Sequence, residues 1–256
     1  MSTLDLAATL RAAPLKPLRN LFRPLASIFP LPVRVRTHGG RALYVDLRSA
    51  IGRGIFVRGE FDPAVLGFLR ENLRPGAVFA DIGANIGYFS VAALELVGSA
   101  GEVHSFEIDP RSLRCLYRTQ GANRSANHFI HGNGLGSEPG IARIEAESEM
   151  GNTHISRSQP GGTGFPVLPL DTWAPYFERR GLGVIKLDVE GAELEVLRGG
   201  ARALASCQPV VLCEAIESNL RRFGHSVADL LAFMTSLGYA ASPLEGSHDV
   251  NLVFRK

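Results

Sequence analysis

Residues 77–97 read AVFADIGANIGYFSVAALELV, and this stretch decides the fold. The apolar run 77–82 is typical of a buried strand, and residues 87–97 have the composition of a helix. The turn between them carries Gly83 and Gly87. A glycine-rich turn at the start of a helix lets a ligand approach backbone N–H groups. The stretch therefore predicts a strand–turn–helix unit that binds a ligand.

Short apolar runs alternate with helix-like segments along the rest of the chain. Further strands are predicted at 102–107, 128–132, 183–188, 209–214, 239–242 and 249–254. Further helices are predicted at 62–73, 110–123, 171–179, 191–204 and 227–237. This order predicts an α/β fold with a Rossmann-like, doubly wound and mostly parallel sheet that has helices on both faces. Because no helix separates the last two strands, the terminal strand is expected to be antiparallel.

The composition is that of a globular protein. The chain has 256 residues, of which 45% are hydrophobic and 20% charged, and these fractions exclude intrinsic disorder. Three scattered cysteines fit neither a disulfide framework nor a zinc site and indicate a reducing, cytoplasmic location. A net charge of only +2 gives no case for a nucleic-acid partner. The lack of an apolar run of about 18 residues predicts no transmembrane span.

Basic residues are concentrated near the start of the chain. Residues 1–41 contain seven basic side chains against one acidic one, a charge of +6, so the remainder carries −4. Such a stretch is consistent with a basic helix on an anionic membrane, a targeting peptide, or a cap on the core or on a second subunit. Frequent prolines favour the cap, because proline interrupts a helix. We therefore predict an N-terminal extension, 1–58, with a helical segment, a hairpin at 33–48 and a homodimer contact, followed by a ligand-binding domain, 59–256.

The turn after the first core strand does not match the dinucleotide pattern G-x-G-x-x-G, because Asn85 stands where the middle glycine is needed. The chain also lacks a Tyr-x-x-x-Lys pair, so an NAD(P)-dependent oxidoreductase is disfavoured. Asp81 ends a buried strand, where a carboxylate is costly unless something pairs with it. A ligand ammonium group is a suitable partner for it. The alternative is that Asp81 only caps the turn.

A second carboxylate follows the next strand. Glu107 lies 24 residues after Gly83, where an acidic side chain can accept the hydroxyls of a ribose. Together, Asp81 and Glu107 predict a ligand with a cationic amino-acid end and a ribose. S-adenosylmethionine has both.

Several segments together resemble one protein family. The chain is similar to the FkbM family of S-adenosylmethionine-dependent methyltransferases from about residue 59 to residue 254. The segments that carry the resemblance are DIGANIGY (81–88), FEIDP (106–110), NGLG (133–136), LD (170–171) and IKLDVEGAE (185–193). The resemblance implies a class I methyltransferase fold for 59–256. It also implies O-methylation of a hydroxyl on a small metabolite, of sugar or polyketide and other secondary-metabolite type.

The resemblance also implies a set of cofactor-binding residues. Those expected around the methionine part are Asp81, Gly83, Ala84, Asn85 and Gly87. Those expected around the ribose and adenine are Glu107, Ile108, Asn133 and Gly134.

The segment 184–191 brings charged side chains to the carboxyl end of a parallel strand, where doubly wound folds bind ligands. Methyl transfer to an alcohol needs an acceptor for the hydroxyl proton, and a carboxylate, lysine or histidine can serve. Asp188 is the first candidate for this catalytic role. The candidates behind it are Lys186, Glu190, Glu214 and His248.

Three alternatives stay open for this segment. Lys186 and Asp188 share a face by period-two alternation, so they are also consistent with a structural ion pair. The carboxylates of Asp188, Glu190 and Glu214 are ligands that Mg²⁺ accepts, but no spacing indicates a metal, and we assign no metal ligand. A non-catalytic binding module with the same fold is the third alternative, and the intact charged block argues against it. The segment 134–166 is long for a loop and is expected to be a hairpin or part of the acceptor wall.

Overall fold

The structure is a computed structural model that describes residues 32–37, 39–144, 155, 156 and 164–256. The predictions for residues 1–31, and for most of the centre of the 134–166 segment, lie outside the described residues. No helix among the described residues is long and apolar enough to cross a membrane.

Strands of the described residues fall into three sheets. A hairpin consists of β1 (Val33–Arg36) and β2 (Ala42–Val45). The seven-stranded sheet contains β3 (Val78–Ile82), β4 (Glu102–Phe106), β5 (His128–His131), β10 (Leu182–Leu187), β11 (Val210–Glu214), β12 (Ala240–Pro243) and β13 (Asn251–Arg255). A four-stranded sheet contains β6 (Gly134–Leu135), β7 (Gly140–Ile144), β8 (Ile155–Ser156) and β9 (Gly164–Leu168).

Helices connect most of the strands of the large sheet. The α-helices of the described residues are α1 (Ala50–Arg58), α2 (Pro63–Asn72), α3 (Tyr88–Val97), α4 (Pro110–Asn123), α5 (Ala174–Arg180), α6 (Glu193–Gly199), α7 (Ala201–Cys207), α8 (Glu217–Arg222) and α9 (Val227–Ser236). A 3₁₀ helix, Leu170–Trp173, leads directly into α5.

The large sheet has the strand order β12-β13-β11-β10-β3-β4-β5. The pairs from β11 through β10, β3 and β4 to β5 are parallel, and β13 is antiparallel to both β11 and β12. This confirms the predicted α/β fold, a Rossmann-like, doubly wound sheet with an antiparallel terminal strand. The chain moves outward from β3 in one direction and from β10 in the other. The switch point, where such folds bind ligands, therefore lies between β3 and β10.

All five residues of β3 are buried, as expected for a central parallel strand that is covered on both faces. Period-two alternation divides its side chains between two apolar clusters. Phe79 packs in one cluster with Val91 and Leu94 of α3, and Val78 and Ile82 pack in the other. Asp81 shares the face of Phe79, because residues two apart on a strand point the same way.

The hairpin predicted at 33–48 is present as β1 and β2. Val35 and Leu43 of the hairpin belong to the same apolar cluster as Phe79. Backbone N–H groups of β2 also donate to α4, with Tyr44 N 2.9 Å from Thr119 Oγ1. The division of the chain at residue 58, and the homodimer contact, stay predictions.

One predicted helix needs correction, and two helices were not predicted. The helix predicted over 191–204 is two helices, α6 and α7, which break at Gly200. At Gly199 a β-carbon would overlap the carbonyl oxygen of Gly136, so the chain passes too close there for any other residue. The pattern also missed α1, whose composition includes two glycines, and α8, which has only six residues.

Candidate active site

A cavity lies where the carboxyl ends of β3, β4 and β10 meet, which is the predicted ligand-binding edge of the sheet. Ten of the fourteen residues that the sequence predicted for the site line this cavity. The other four, Asp81, Gly87, Glu214 and His248, do not.

The glycine turn after β3 is shaped by its backbone. The N–H groups of Gly83 and Ala84 both donate to the carbonyl of Phe106, each at 3.0 Å, which ties the turn to the end of β4. Gly83 has a φ of +76°, and a β-carbon there would overlap the carbonyl oxygen of Asp188. Glycine is therefore required at this position both by conformation and by space.

Asn85 and Gly87 complete the turn in different ways. Asn85 has a φ of +50°, which asparagine tolerates better than most residues, and its Oδ1 accepts from Ile86 N at 2.8 Å. Gly87 has a φ of +85°, and a β-carbon there would lie 2.5 Å from Leu116 Cδ2. Gly87 thus allows α3 to begin close to α4. Its contribution to the site is indirect, because it packs away from the cavity.

Glu107 lines the cavity with a carboxylate that is already held by the backbone. Its Oε1 accepts from Ile108 N at 2.6 Å and Asp109 N at 2.8 Å, and its Oε2 accepts from Asn85 N at 2.7 Å. About one of the four lone-pair sites of this carboxylate is therefore left for a ligand. Burial raises the pKa of Glu107 to about 7, although the three N–H donors oppose that rise.

Asp81 is fully buried behind the turn. Its Oδ2 accepts from the Ser90 hydroxyl at 2.5 Å, and its Oδ1 lies 3.8 Å from Lys186 Nζ. Burial raises the pKa of Asp81, and the charge of Lys186 opposes that rise. Asp81 does not line the cavity, and its direct pairing with a ligand ammonium group stays a prediction. An action through the glycine turn stays a prediction.

Lys186 lies between two carboxylates. Its Nζ is 3.1 Å from Asp188 Oδ2, 3.8 Å from Asp81 Oδ1 and 3.4 Å from the carbonyl oxygen of Gly83, and it lies over the ring of Phe89. Burial acts to lower the pKa of Lys186, but the charges of Asp188 and Asp81 outweigh it, so the pKa is raised. The ion pair between Lys186 and Asp188 is therefore present, and both members line the cavity.

The acidic residues beyond β10 differ in accessibility. The Asp188 side chain is 37% exposed and lines the cavity, so one carboxylate oxygen is available to a ligand. Glu190 also lines the cavity. It has a φ of +57°, and its Oε2 accepts from Asn219 Nδ2 at 3.1 Å. Burial, together with the charge of Asp188, raises the pKa of Glu190 to about 7.

Glu214 and His248 lie apart from the cavity wall. Glu214 is buried at the end of β11, and burial together with the charges of Asp188 and Glu190 raises its pKa to about 9. Glu214 is not among the residues that line the cavity, and its candidate catalytic role stays a prediction. The His248 ring stacks on Phe61, with ring centroids 6.2 Å apart.

Within the described residues, no group of three or more His, Cys, Asp or Glu side chains is arranged to hold a metal ion. The charge of Asp188 contributes to the raised pKa values of Glu190 and Glu214, but the three carboxylates are not among any such group.

The sequence did not predict the apolar wall of the cavity. Phe61, Tyr88 and Phe89 line it, with ring centroids 6.0 Å apart for Phe61 and Phe89 and 5.4 Å apart for Tyr88 and Phe89. From the sequence, Tyr88 and Phe89 are typical core residues of a helix. Only their position directly after Gly87 could have indicated that they lie at the site. Further apolar lining residues are Ile51 and Phe223.

Glu193 is a second residue that the sequence analysis did not predict for the site. It is 1% exposed, and its Oε1 accepts from Val189 N at 3.0 Å and Gly191 N at 3.1 Å. These bonds fix the turn that carries Glu190, so Glu193 shapes the site without lining it. The signal was its place in the quoted segment IKLDVEGAE (185–193).

The cavity offers two chemically different regions. Glu107, Asn133 and Ile108 combine a carboxylate and an amide with an apolar surface, which suits hydroxyl groups and a flat ring. Asp188 and Lys186 place a partly exposed carboxylate beside aromatic surface, which suits the removal of a proton from a bound hydroxyl.

Comparison with known proteins identifies the family. The profile described as "Methyltransferase FkbM domain" matches residues 81–241, which is more than half of the chain. The chain belongs to the FkbM family of S-adenosylmethionine-dependent methyltransferases. The glycine turn alone was consistent with a methyltransferase or an oxidoreductase. The family match identifies this FkbM-family chain as a methyltransferase.

Individual proteins similar to this FkbM-family chain cover it in part. Hexuronic acid methyltransferase AglP of Haloferax volcanii is 30% identical over 157 residues, which are 61% of this chain and 62% of that protein. The chain thus matches less than two thirds of that relative's length. Methyltransferase FkbM from Methylobacillus flagellatus is 19% identical with a TM-score of 0.48, over 78% of this chain and 52% of that one. Fibrillarin from Aeropyrum pernix, in complex with S-adenosyl-L-methionine, is 13% identical with a TM-score of 0.43, over 88% of this chain and 82% of that one.

Proposed function

We propose that this chain is an S-adenosylmethionine-dependent O-methyltransferase that methylates a hydroxyl of a small metabolite of sugar or polyketide type. One observation carries the proposal. Glu107, suited to a ribose hydroxyl, and the Lys186–Asp188 pair, suited to an acceptor hydroxyl, line the same cavity. A single cavity with both features can hold a methyl donor and an acceptor next to each other.

The cofactor half of the proposal is supported by the chemistry of the lining residues. Glu107 has about one lone-pair site left, which fits one ribose hydroxyl as a hydrogen-bond donor. Ile108 and Leu135 offer apolar surface to an adenine ring, and Asn133 offers an amide at the same end. The glycine turn lines the cavity at Gly83, and this surface is available to the methionine part, although the N–H groups of Gly83 and Ala84 already donate to Phe106. These residues fit S-adenosylmethionine.

The acceptor half is supported by the aromatic wall and the partly exposed carboxylate. Aromatic faces such as Phe61 and Tyr88 pack well against the apolar face of a sugar or polyketide ring, and Asp188 accepts a hydrogen bond from a hydroxyl. The name of the relative from Haloferax volcanii, a hexuronic acid methyltransferase, favours a sugar-type acceptor.

When bound, S-adenosylmethionine supplies an activated methyl group, so the main task of the protein is to hold the acceptor oxygen in line with it. Lys186 fixes Asp188 Oδ2 at 3.1 Å and leaves the other oxygen free for the acceptor hydroxyl. Asp188 takes the hydroxyl proton as the oxygen–carbon bond forms. The aromatic residues exclude water and orient the acceptor.

The test combines a binding and a turnover measurement. We expect calorimetry to detect S-adenosylhomocysteine and not NADH. We expect transfer of a labelled methyl group to at least one member of a panel of neutral sugars, hexuronic acids and hydroxylated polyketides. Binding of NADH alone would contradict the proposal. Binding of S-adenosylhomocysteine without transfer to any hydroxyl, but with transfer to an amine or thiol, would contradict the O-methyl assignment. The cytoplasmic location and the absence of a nucleic-acid partner stay predictions.

A further inference from the structure

Four buried polar side chains form a continuous hydrogen-bonded chain behind the candidate site. The Ser90 hydroxyl lies 2.5 Å from Asp81 Oδ2 and 2.8 Å from Ser105 Oγ. Ser105 Oγ in turn lies 2.8 Å from His128 Nε2. None of the four residues is more than 2% exposed. This series of hydrogen bonds runs from β3, beside the glycine turn, to the edge strand β5.

The sheet and one helix bring these groups together. Asp81 and Ser105 are paired in the β3–β4 ladder, so their side chains emerge on the same face. Ser90 lies on α3, which packs on that face and inserts its hydroxyl between them. His128 begins β5 and reaches Ser105 from the neighbouring strand.

The surroundings of His128 determine the direction of the hydrogen bonds. Its Nδ1 is buried and has no hydrogen-bond partner among the described residues. A buried N–H without a partner is costly, so the proton belongs on Nε2, which donates to Ser105. Ser105 has only one hydroxyl hydrogen, which it then donates to Ser90, and Ser90 donates to Asp81. Every donor points toward Asp81 Oδ2, and the buried Oδ1 has no hydrogen-bond partner among the described residues that could accept a proton from it. Both observations favour the ionised carboxylate.

We infer that His128, Ser105 and Ser90 are positioning residues that keep Asp81 ionised and oriented behind the glycine turn, and that Asp81 in turn fixes Lys186 at the cavity wall. Asp81 Oδ1 lies 3.8 Å from Lys186 Nζ, and the same Nζ lies 3.4 Å from the carbonyl oxygen of Gly83. A neutral Asp81 would remove one of the two carboxylate charges that hold Lys186 beside the turn. The expected effect on cofactor affinity rests on the proposed function; the direction of the hydrogen bonds does not.

Charged groups face both ends of this arrangement. Burial, together with the charge of Asp188, raises the pKa of Asp81, whereas the charge of Lys186 and the hydrogen bond from Ser90 favour its ionised form. His128 is faced by His104 and His131, and burial lowers the pKa of His128 to about 4. A neutral His128 at neutral pH is what the inferred direction requires.

The direction can be tested by NMR on the intact ¹⁵N-labelled protein. Long-range proton–nitrogen correlations of the His128 ring distinguish the two neutral tautomers from the doubly protonated ring. We expect the Nε2–H tautomer throughout the range of about pH 6–8. A ring that carries its proton on Nδ1, or that is doubly protonated in this range, would overturn the inference.

The functional effect can be tested with S-adenosylhomocysteine as the calorimetric probe. Ser90→Ala and His128→Leu remove donors, so the pKa of Asp81 should rise and affinity should fall by about tenfold, and further as the pH is lowered from about 8.5 to 6.5. His128→Gln keeps a donor near the position of Nε2 and should restore most of the affinity. Thr119→Val, which removes a buried hydroxyl on α4 that accepts from Tyr44 N, is the matched control.

The outcomes separate the two hypotheses. Unchanged affinity and pH profile in Ser90→Ala and His128→Leu would overturn the inference. So would losses that match those of Thr119→Val, because they would indicate only a general structural effect. If the parent protein does not bind S-adenosylhomocysteine at all, the proposed function fails, and the NMR result still decides the direction of the hydrogen bonds.

Discussion

The carbonyl oxygen of Asp188 occupies the position that a β-carbon on Gly83 would need. The turn after β3 and the end of β10 are further joined by a hydrogen bond of 3.0 Å from Asp188 N to the carbonyl of Ile82. The turn proposed for the cofactor and the carboxylate proposed for the acceptor are therefore held at a fixed separation by backbone atoms.

We expect Gly83→Ala to be far more damaging than a change at a glycine with similar conformation and free space. Gly76 has a φ of +88°, and no atom lies within 4 Å of a β-carbon there. Gly76→Ala should therefore cost only the backbone strain of about 1–2 kcal/mol. Gly83→Ala should lower the free energy of unfolding by at least about 3 kcal/mol, because the backbone must also move. Urea unfolding of both variants measures the difference. Equal losses in the free energy of unfolding would contradict the close contact between Gly83 and the Asp188 carbonyl oxygen.

Glu107→Ala should lower the affinity for S-adenosylhomocysteine by at least about tenfold, because a charge-assisted hydrogen bond to the ribose is lost. The matched control is Glu102→Ala at the start of the same strand. Glu102 bonds to Tyr176 and Arg180 and does not line the cavity. Calorimetry should therefore give parental affinity for the control. Unchanged affinity in Glu107→Ala would mean that the ribose binds elsewhere.

Much of the fold was predictable from local patterns, because β3, β4, β10 and β11 each end at a glycine or an acidic residue and are followed by a helix. The break between α6 and α7 was not, because it depends on the approach of Gly136 to Gly199, which are far apart in the sequence. The short helix α8 offers too few residues for a periodic pattern to be recognised.

The charged part of the site was predictable because strand ends in a parallel sheet converge on one edge. The sequence could not distinguish an acidic residue at the cavity wall, such as Asp188, from one behind it, such as Asp81 or Glu214. That difference depends on side-chain direction and on which helix covers each face. The aromatic wall was missed for a similar reason, since Phe61 meets Phe89 only after the chain has folded.

Asp188→Asn should leave the affinity for S-adenosylhomocysteine unchanged and lower turnover by about 10²–10⁴, the usual share of proton transfer. Asp249→Asn is the control, because Asp249 lies in the same acidic surroundings but does not line the cavity. Its turnover should stay near that of the parent. A stable Asp188→Asn variant with full turnover would restrict Asp188 to its ion pair with Lys186.

The same assay distinguishes a base from a metal ligand. If Asp188 acts as a base, a chelator such as EDTA should not change the turnover of the parent protein. Loss of activity in EDTA that is restored by Mg²⁺ would instead support the metal alternative, with the carboxylates near Asp188 as its ligands.

Lys186→Met should lower the free energy of unfolding by about 3–5 kcal/mol, because it leaves the buried carboxylate of Asp81 without its cationic partner. The double variant Lys186→Met with Asp81→Asn should recover part of that loss, since no buried charge is then unpaired. Lys256→Met, at an exposed lysine, is the control and should have little effect. Additive losses in the double variant would show that the two residues do not interact.

The stability of the protein should fall as the pH rises from about 6.5 to 9. Below that range the lowered pKa values of His128 and His131, about 4 for each, act in the opposite direction. The pKa values of Glu107 and Glu190 are raised to about 7 and that of Glu214 to about 9, mainly by burial. These carboxyls hold protons that the unfolded chain releases above its lower pKa, so unfolding is favoured as the pH increases.

Urea unfolding at several pH values measures this slope. Glu214→Gln should flatten it, whereas Glu178→Gln should not, because Arg202 lowers the pKa of Glu178. A slope of opposite sign in the parent would contradict the raised pKa values.

The apolar wall of the cavity draws in part on residues that precede the family match. Ile51 and Phe61 come before residue 81, whereas the glycine turn, Glu107 and Asp188 all lie within 81–241. If this wall meets the acceptor as proposed, exchange of residues 32–62 between family members should alter acceptor preference while retaining the glycine turn, Glu107 and Asp188. Because the hairpin in this segment packs in the same core cluster as Phe79, such chimeras would have to keep its buried residues.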